Sequence, residues 1–358
     1  MIRIHIGGEW LNLDQVIESF RSPSDQQEAR AIQLIKEWQS GAREFTFQTS
    51  GSTGTPGRKV FSREQLEASA LLTERALKLK PGYTTLICLD VNFIAGAMMI
   101  IRSLVTKMNM IIRAPASDPL HGMNEPVDFV ALVPHQLHSI LDRSPEMLDH
   151  LQTIIIGGAP LRTQLIEKLQ QRTASFYATY GMTETLSHIA LQKLNGSDRQ
   201  TEFHPLPGVH ISTDNRGCLI IQAVHLGPDP VITNDVAEIQ GGNTFMIHGR
   251  IDQVINSGGI KIQPQKVEDI IQTVFHNLGI QGRFFLAGLP DDILGSSLVL
   301  VLEGSPPGHD EKEKILIALG NALDKYEIPR AFHYTPRFLI TPTQKVDRIA
   351  TLKILEIK

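Results

Sequence analysis

With 358 residues, 42% apolar and 20% charged, the chain is long enough for about two domains and can bury a core without covalent staples. A formal net charge of -4, from 34 Lys and Arg against 38 Asp and Glu, leaves no basic footprint and excludes nucleic acid as an expected partner. Cys88 and Cys218, the only two cysteines, supply neither a disulfide framework nor a Cys-rich zinc site. No basic stretch followed by an apolar run opens the sequence, and its longest apolar run, residues 93–101, is far short of the ~20 that span a bilayer. The expectation is a cytoplasmic protein with no membrane partner.

In chain order, EFTFQ (44–48) reads as a strand and REQLEASALLTERALKL (63–79) as a helix beginning near Ser62. TLICLD (85–90) and TIIIGG (153–158) read as buried strands, and residues 159–172 as a further helix. From about 201 shorter strands follow, GVHIST, GCLIIQA and TFMIHGR, separated by Gly, Pro and Asn turns. Beyond GRIDQVINSGG (249–259) the pattern VEDIIQTVFHN, FFLAGLP, SSLVLVLEG, KEKILIALGNAL is a compact α+β alternation. The expected fold is therefore α/β. A large N-terminal layered domain (1–248) ends in a β-rich subregion, and a hinge (249–252) joins it to a small α+β C-terminal domain (253–358). No internal repeat or low-complexity tract interrupts it.

The densest chemical signal is Thr49, Ser50, Gly51, Ser52, Thr53, Gly54, Thr55, Pro56, Gly57, Arg58, Lys59. Small and hydroxyl residues let backbone N–H groups approach phosphate oxygens, while Arg58 and Lys59 add charge; the same composition also describes an ordinary loop. It is not a Walker A loop: counted from Gly51 the second required glycine is Pro56, and counted from Gly54 it is Lys59.

This loop resembles the phosphate-binding signature of the adenylate-forming superfamily, which includes acyl-CoA synthetases, peptide-synthetase adenylation domains and luciferases. Further segments resemble that family's motifs in order. Val133 to Leu137 (VPHQL) resembles the segment before the substrate pocket, and Gly157, Gly158, Ala159 and Pro160 the adenine-side loop. Tyr180, Gly181, Met182, Thr183, Glu184 and Thr185 match the second nucleotide motif, and Thr233, Asn234 and Asp235 the ribose turn, normally T-G-D. Gly249, Arg250, Ile251 and Asp252 match the interdomain hinge, and Gln344 to Arg348 the terminal lysine motif. Within the superfamily, the short form with YGMTETLSHIAL most resembles the o-succinylbenzoate:CoA ligases of menaquinone synthesis.

The resemblance implies a ligase that converts a small carboxylic acid and ATP to acyl-AMP and pyrophosphate, then passes the acyl group to coenzyme A. Its implied cofactor is Mg²⁺ on Glu184, placed at a strand-to-helix turn. Thr183 would donate to the α-phosphate or else cap that helix, and Asp235 would accept the ribose hydroxyls or else form a plain Asx turn. Thr49 to Gly54, Lys59, Gly157, Gly158, Ala159, Tyr180, Gly181 and Arg250 complete the implied ATP and AMP set. Gly157 and Gly158 serve equally well as a tight turn. Lys345 would neutralise charge during adenylation; Asp252 would be the hinge; Gly258 and Gly259 would reach the channel for the thiol or simply form a bend.

The implied acyl pocket draws on Phe93, Ile94, Ala95, Met98, His135, Tyr177 and His188, of which 93–101 also reads as plain core. Arg102, His135 and His188 are candidates for holding a second carboxylate. Two departures from the family are visible: Gly57 and Arg58 precede Lys59, so that either cation could meet phosphate, and the terminal motif lacks Asn-Gly before Lys345. A third is that relatives carry a long region before the phosphate loop, which implies a truncated N-terminal subdomain with its face covered by a second subunit in a homodimer. A carrier-protein thiol in place of coenzyme A, and an adenylate-binding pseudoenzyme, are the alternative readings.

Overall fold

The computed structural model describes residues 2–18, 23–48, 57–280, 282–341 and 346–355. The chain forms two compact units: Met1–Ile211, Ile221–Val231 and Gln240–Phe245 in the first; Ser212–Ile220, Ile232–Ile239 and Met246–Lys358 in the second. Residues 249–252 fall inside the second unit.

The first unit contains β1 (Arg3–Ile6), β2 (Glu9–Asn12), α1 (Leu13–Glu18), α2 (Gln26–Gln39), β3 (Glu44–Gln48), β4 (Arg58–Ser62), α3 (Arg63–Leu77) and β5 (Thr84–Ile87). It continues with α4 (Ile94–Thr106), β6 (Asn109–Ile112), β7 (Phe129–Leu132), α5 (Pro134–Arg143), β8 (Thr153–Ile156), α6 (Thr163–Glu167), β9 (Ser175–Met182), β10 (Ser187–Lys193) and β11 (His204–Pro205).

A nine-stranded sheet runs in the order β11-β10-β9-β8-β7-β5-β6-β1-β2. Its centre, from β1 and β6 through β5, β7 and β8 to β9, is parallel, and the outer pairs are antiparallel. Central parallel strands lose both faces to helices, which is why β7 is apolar throughout and β6 and β8 are apolar after their first residue, Asn109 and Thr153. On one face Leu86, Val130, Ile154 and Phe176 pack with Leu137 and Ile140 of α5. Helix α4 buries eleven of its thirteen residues, as its nearly all-apolar sequence demands.

Helix α3 begins where expected, because Ser62 and Gln65 form a reciprocal capping box. The strand β4 precedes it, however, so the Gly-rich loop lies between two antiparallel strands, β3 and β4, rather than between a strand and a helix. The helix expected over 159–172 shrinks to α6; Pro160 denies its predecessor the helical region, and the chain is still extended at Arg162. The strand-to-helix turn expected around Glu184 is instead a hairpin between β9 and β10, closed by a single 3₁₀ turn. Its buried Thr185 accepts from Met182 N (2.9 Å), and its hydroxyl lies 2.7 Å from the Ser187 carbonyl.

Strands β12 (Val209–Thr213), β13 (Cys218–Ala223), β14 (Val231–Gln240) and β15 (Thr244–Arg250) form a four-stranded sheet in sequence order. Within the second unit, β16 (Ile255–Ser257) and β17 (Ile260–Ile262) form a hairpin, followed by α7 (Pro264–Asn277), β18 (Phe284–Asp291), β19 (Gly295–Glu303), α8 (His309–Ala322), β20 (Ala331–Thr335) and α9 (Arg348–Ile354). Its core packs Val267, Ile271 and Phe275 of α7 and Ile315 and Leu319 of α8 against Leu286, Leu298 and Leu300. The architecture is mixed α/β with a small C-terminal α+β part, as the sequence predicts. Among the described residues no helix is long and apolar enough to cross a membrane.

Candidate functional site

The order of the large sheet sets the site. From β5 the chain crosses to β6 on one side, then returns to β7 on the other and continues outward through β8 and β9. Connections leaving β5 and β7 therefore diverge at the carboxyl ends of these strands, the edge at which open α/β sheets bind ligands. Register aligns the ends: Leu132 lies beside Ile156, and Ile156 beside Ala178. Phe93, Ile94 and Ala95 follow β5; His135 lies exposed in the first turn of α5, after β7; Gly157, Gly158 and Ala159 follow β8; Tyr177, Tyr180 and Gly181 lie along β9.

Residues Thr49, Ser50, Gly51, Ser52, Thr53 and Gly54 lie outside the described residues, but the strands that carry them do not. Gln48 N donates to Asn92 O (3.1 Å), and Gln48 bridges Phe93 in parallel register. Across the hairpin Gln48 pairs with Arg58, and Phe47 with Lys59. The strand that precedes residues 49–56 thus ends beside the segment following β5, at the carboxyl edge of the sheet. Lys59 Nζ reaches Glu184 Oε1 at 3.0 Å, with both side chains 40% exposed. Successive residues of a strand point to opposite faces, so Arg58 is directed away from this contact.

Among the described residues no three His, Cys, Asp or Glu gather as a metal cage. Glu184 suits Mg²⁺ all the same, since that ion ordinarily takes one or two carboxylates and completes its shell with phosphates and water.

Packing explains several glycines without a ligand. A Cβ on Gly157 would lie 2.3 Å from Thr179 Oγ1, and Gly158 has φ +90°. A Cβ on Gly181 would lie 2.1 Å from Ser187 O and 2.5 Å from His188 Cα. Only glycine lets β10 close on β9 there. Gly181→Ala should destabilise the protein by about 1–3 kcal/mol, the usual range for overpacking, read from urea denaturation.

A buried polar cluster joins α3, α4 and β10. Arg102, on the third turn of α4, is 1% exposed. Its Nε donates to Thr73 Oγ1 (3.1 Å) and its Nη2 to Ser187 Oγ (3.0 Å); Nη2 also lies 3.4 Å from His188 Nδ1, and Nη1 lies 3.8 Å from Met99 Sδ. No carboxylate among the described residues is paired with it, and burial pushes its pKa down to about 9, so it stays cationic at neutral pH. A β-bulge between His188 and Ala190 shifts the β9–β10 register beside this cluster, a device that commonly re-aims a side chain. Met98 and Ile94 are buried core, whereas Phe93 is half-buried and Ala95 exposed. Cys88, at the end of β5, is no nucleophile: burial pushes its thiol up to about 12.

Burial first, and Arg102 second, hold His188 well below the usual histidine range. Below the unfolded value of 6.5, the unfolded chain takes up a proton that the native state refuses. Stability present at pH 7 is therefore lost as pH falls through that window, by up to about 1.4 kcal/mol per pH unit. His188→Asn should flatten the dependence of unfolding free energy on pH between 5 and 7 by that slope.

In the second unit, Arg250 forms a fork with Asp252, from Nε to Oδ1 (2.9 Å) and from Nη2 to Oδ2 (2.5 Å). Its Nη1 reaches the mostly buried Asp235 at 3.3 Å. Asn234 Nδ2 donates to Asp252 (3.3 Å) and its Oδ1 accepts from Arg216 Nη1 (3.3 Å). The hydrogen bond from Arg250 is the main cause holding the Asp252 carboxyl below its usual range. Gly258 and Gly259, at φ +60° and +82°, are the two-residue turn of the β16–β17 hairpin, which requires positive φ at both positions. Lys345 lies outside the described residues. Its C-terminal flank is pinned: Val346 bridges Ile340, Asp347 caps α9, and Arg348 Nη1 meets the buried Glu268 at 2.9 Å.

Thr73, Ser187 and Arg216 escape sequence reasoning, since hydroxyls in a helix or strand and an exposed Arg carry no local signature of their partners.

The sequence profile of the AMP-binding enzyme family matches residues 23–216. An acyl-CoA synthetase (AMP-forming)/AMP-acid ligase II-like protein from Dyadobacter fermentans is 39% identical, with 95% of this chain and 97% of that one covered and a TM-score of 0.62. A 2-succinylbenzoate:CoA ligase of Staphylococcus aureus is 26% identical over 326 residues, 84% of this chain. The chain spans 65% of that relative's length. The O-succinylbenzoate coenzyme A synthetase of Bacillus subtilis, in complex with ATP and magnesium ion, shares the fold at 21% identity and TM-score 0.71, over 86% of this chain and 69% of that one.

Proposed function

Because the chain belongs to the AMP-binding enzyme family, we propose that it is an ATP-dependent acid:thiol ligase acting on an aromatic acid with a second carboxylate, o-succinylbenzoate being the leading case. In the first step a substrate carboxylate oxygen bonds to the α-phosphorus of ATP as the bond to pyrophosphate breaks. In the second, a coenzyme A sulfur bonds to the acyl carbon, AMP leaves, and the thiol proton goes to solvent. Much of the rate comes from positioning and from charge neutralisation.

Glu184 holds Mg²⁺, which when bound offsets phosphate charge. Lys59, already at Glu184, is the loop cation nearest the phosphates. Thr183 donates to the α-phosphate, while Gly157 to Ala159, Tyr180 and Gly181 border the adenine. Asp235 and Arg250 serve the ribose, and Lys345 the reacting charge. Asp252 is the hinge whose turn to the second step brings Gly258 and Gly259 to the thiol channel. The acyl group lies along Phe93, Ala95 and Tyr177, with its distal carboxylate toward Arg102.

One observation carries the substrate class: Arg102 is a buried cation with no acidic partner among the described residues, and burying a charge unpaired is costly enough that a ligand anion is the natural partner. ATP–pyrophosphate exchange across a panel of aromatic mono- and dicarboxylic acids tests the reading. Exchange with no acid in the panel would refute acyl adenylation; exchange equal for mono- and dicarboxylates would refute the substrate class.

A further inference from the structure

Thr73 contributes one hydroxyl to the cluster, and three groups compete for it. Its Oγ1 donates to Ser69 O (3.2 Å), the carbonyl one turn earlier in α3. A hydroxyl has one proton and two lone pairs, so with the proton given to Ser69 the two lone pairs remain. Arg102 Nε–H takes one (3.1 Å), and His188 Nε2, at 3.1 Å, must then donate to the other. That fixes the histidine tautomer: Nε2 carries the proton, and Nδ1 is free to accept from Arg102 Nη2 at 3.4 Å.

The guanidinium is therefore gripped along one side, through Nε and Nη2, by neutral oxygens and a neutral imidazole. Its other end, Nη1, meets among the described residues the thioether of Met99 at 3.8 Å, a weak acceptor for a buried cation. The grip leaves one well-defined donor end held only by a weak acceptor.

We propose that Thr73 is the positioning residue for substrate selection: by fixing Arg102 through Nε and setting the His188 tautomer, it aims Nη1 at the distal carboxylate of the acyl substrate. This rests on the dicarboxylate reading above. Thr73 does not touch the substrate; it acts through Arg102. The same helix donates Ser69 Oγ to Leu186 O (3.1 Å), which ties α3 to the turn bearing Glu184.

The test compares Thr73→Val, Thr73→Ser and Arg102→Met by ATP–pyrophosphate exchange with o-succinylbenzoate and with benzoate. Valine preserves shape and removes the hydroxyl. It should raise KM for o-succinylbenzoate about tenfold or more, with kcat and the benzoate constants changed less than about threefold, while serine restores wild-type KM. If valine impairs both acids equally while Arg102→Met impairs o-succinylbenzoate far more than benzoate, Thr73 merely supports the fold and the proposal is overturned, with the dicarboxylate reading intact. If Arg102→Met lowers kcat/KM for both acids by the same factor, so that selectivity is unchanged, the reading and the proposal fall together. Should Thr73→Val not fold, Thr73→Cys replaces it, since a thiol accepts weakly. A KM increase confined to the dicarboxylate is then expected, and wild-type KM values would overturn the proposal.

Discussion

Lys345→Ala is expected to slow adenylate formation by about 10²–10³ while leaving thioester formation from preformed acyl-AMP near its original rate. The asymmetry follows from where charge accumulates. As carboxylate and phosphate oxygens converge on one phosphorus, a preorganised ammonium offsets repulsion that water would screen in solution. In the second step the attacking sulfur and departing AMP no longer need it. A backbone bridge at Val346, the Asp347 cap and the Arg348–Glu268 pair fix the chain immediately after Lys345. The measurement is single-turnover formation of acyl-AMP beside thioester synthesis from chemically prepared acyl-AMP. Equal losses in both would mean that the lysine holds structure instead.

Arg102→Met is expected to lower kcat/KM for o-succinylbenzoate about 10²-fold or more, with little change for benzoate or a medium-chain fatty acid. A pocket that pairs a buried carboxylate discriminates strongly, because removing either partner strands the other's charge. An apolar pocket would do the reverse, favouring ligands that cost less to desolvate. Stability supplies an independent arm. Methionine removes the cost of the buried charge but strands Thr73 Oγ1, Ser187 Oγ and His188 Nδ1, so the variant is expected to stay folded with its Tm set by the balance of the two. Lower selectivity in a variant that melts cooperatively identifies a charge that serves the ligand. Unchanged selectivity would remove Arg102 from the acyl site.

The sequence by itself determined what depends on local order. Short apolar runs flanked by turn residues gave β5 and β8, Ser62 with Gln65 gave the start of α3, and the ordered motifs from Thr49 to Lys345 gave the adenylate-forming resemblance. Failures at this level had local causes acting against the pattern, as where Pro160 shortened the helix expected over 159–172. The tertiary structure alone decided what depends on residues distant in the chain. The hairpin around Glu184 forms because β10 pairs back onto β9 across Gly181, and periodicity in a six-residue motif cannot register a partner strand. Lys59 rather than Arg58 meets Glu184 because the β3–β4 register sets which side chain faces it. Arg102, from a helix that reads as plain core, becomes a buried cation only because α3 and β10 enclose it with Thr73, Ser187 and His188, residues 29 to 86 positions away. Burial and pairing are properties of the packed chain, and a charge acquires meaning for function only when its neighbours are fixed.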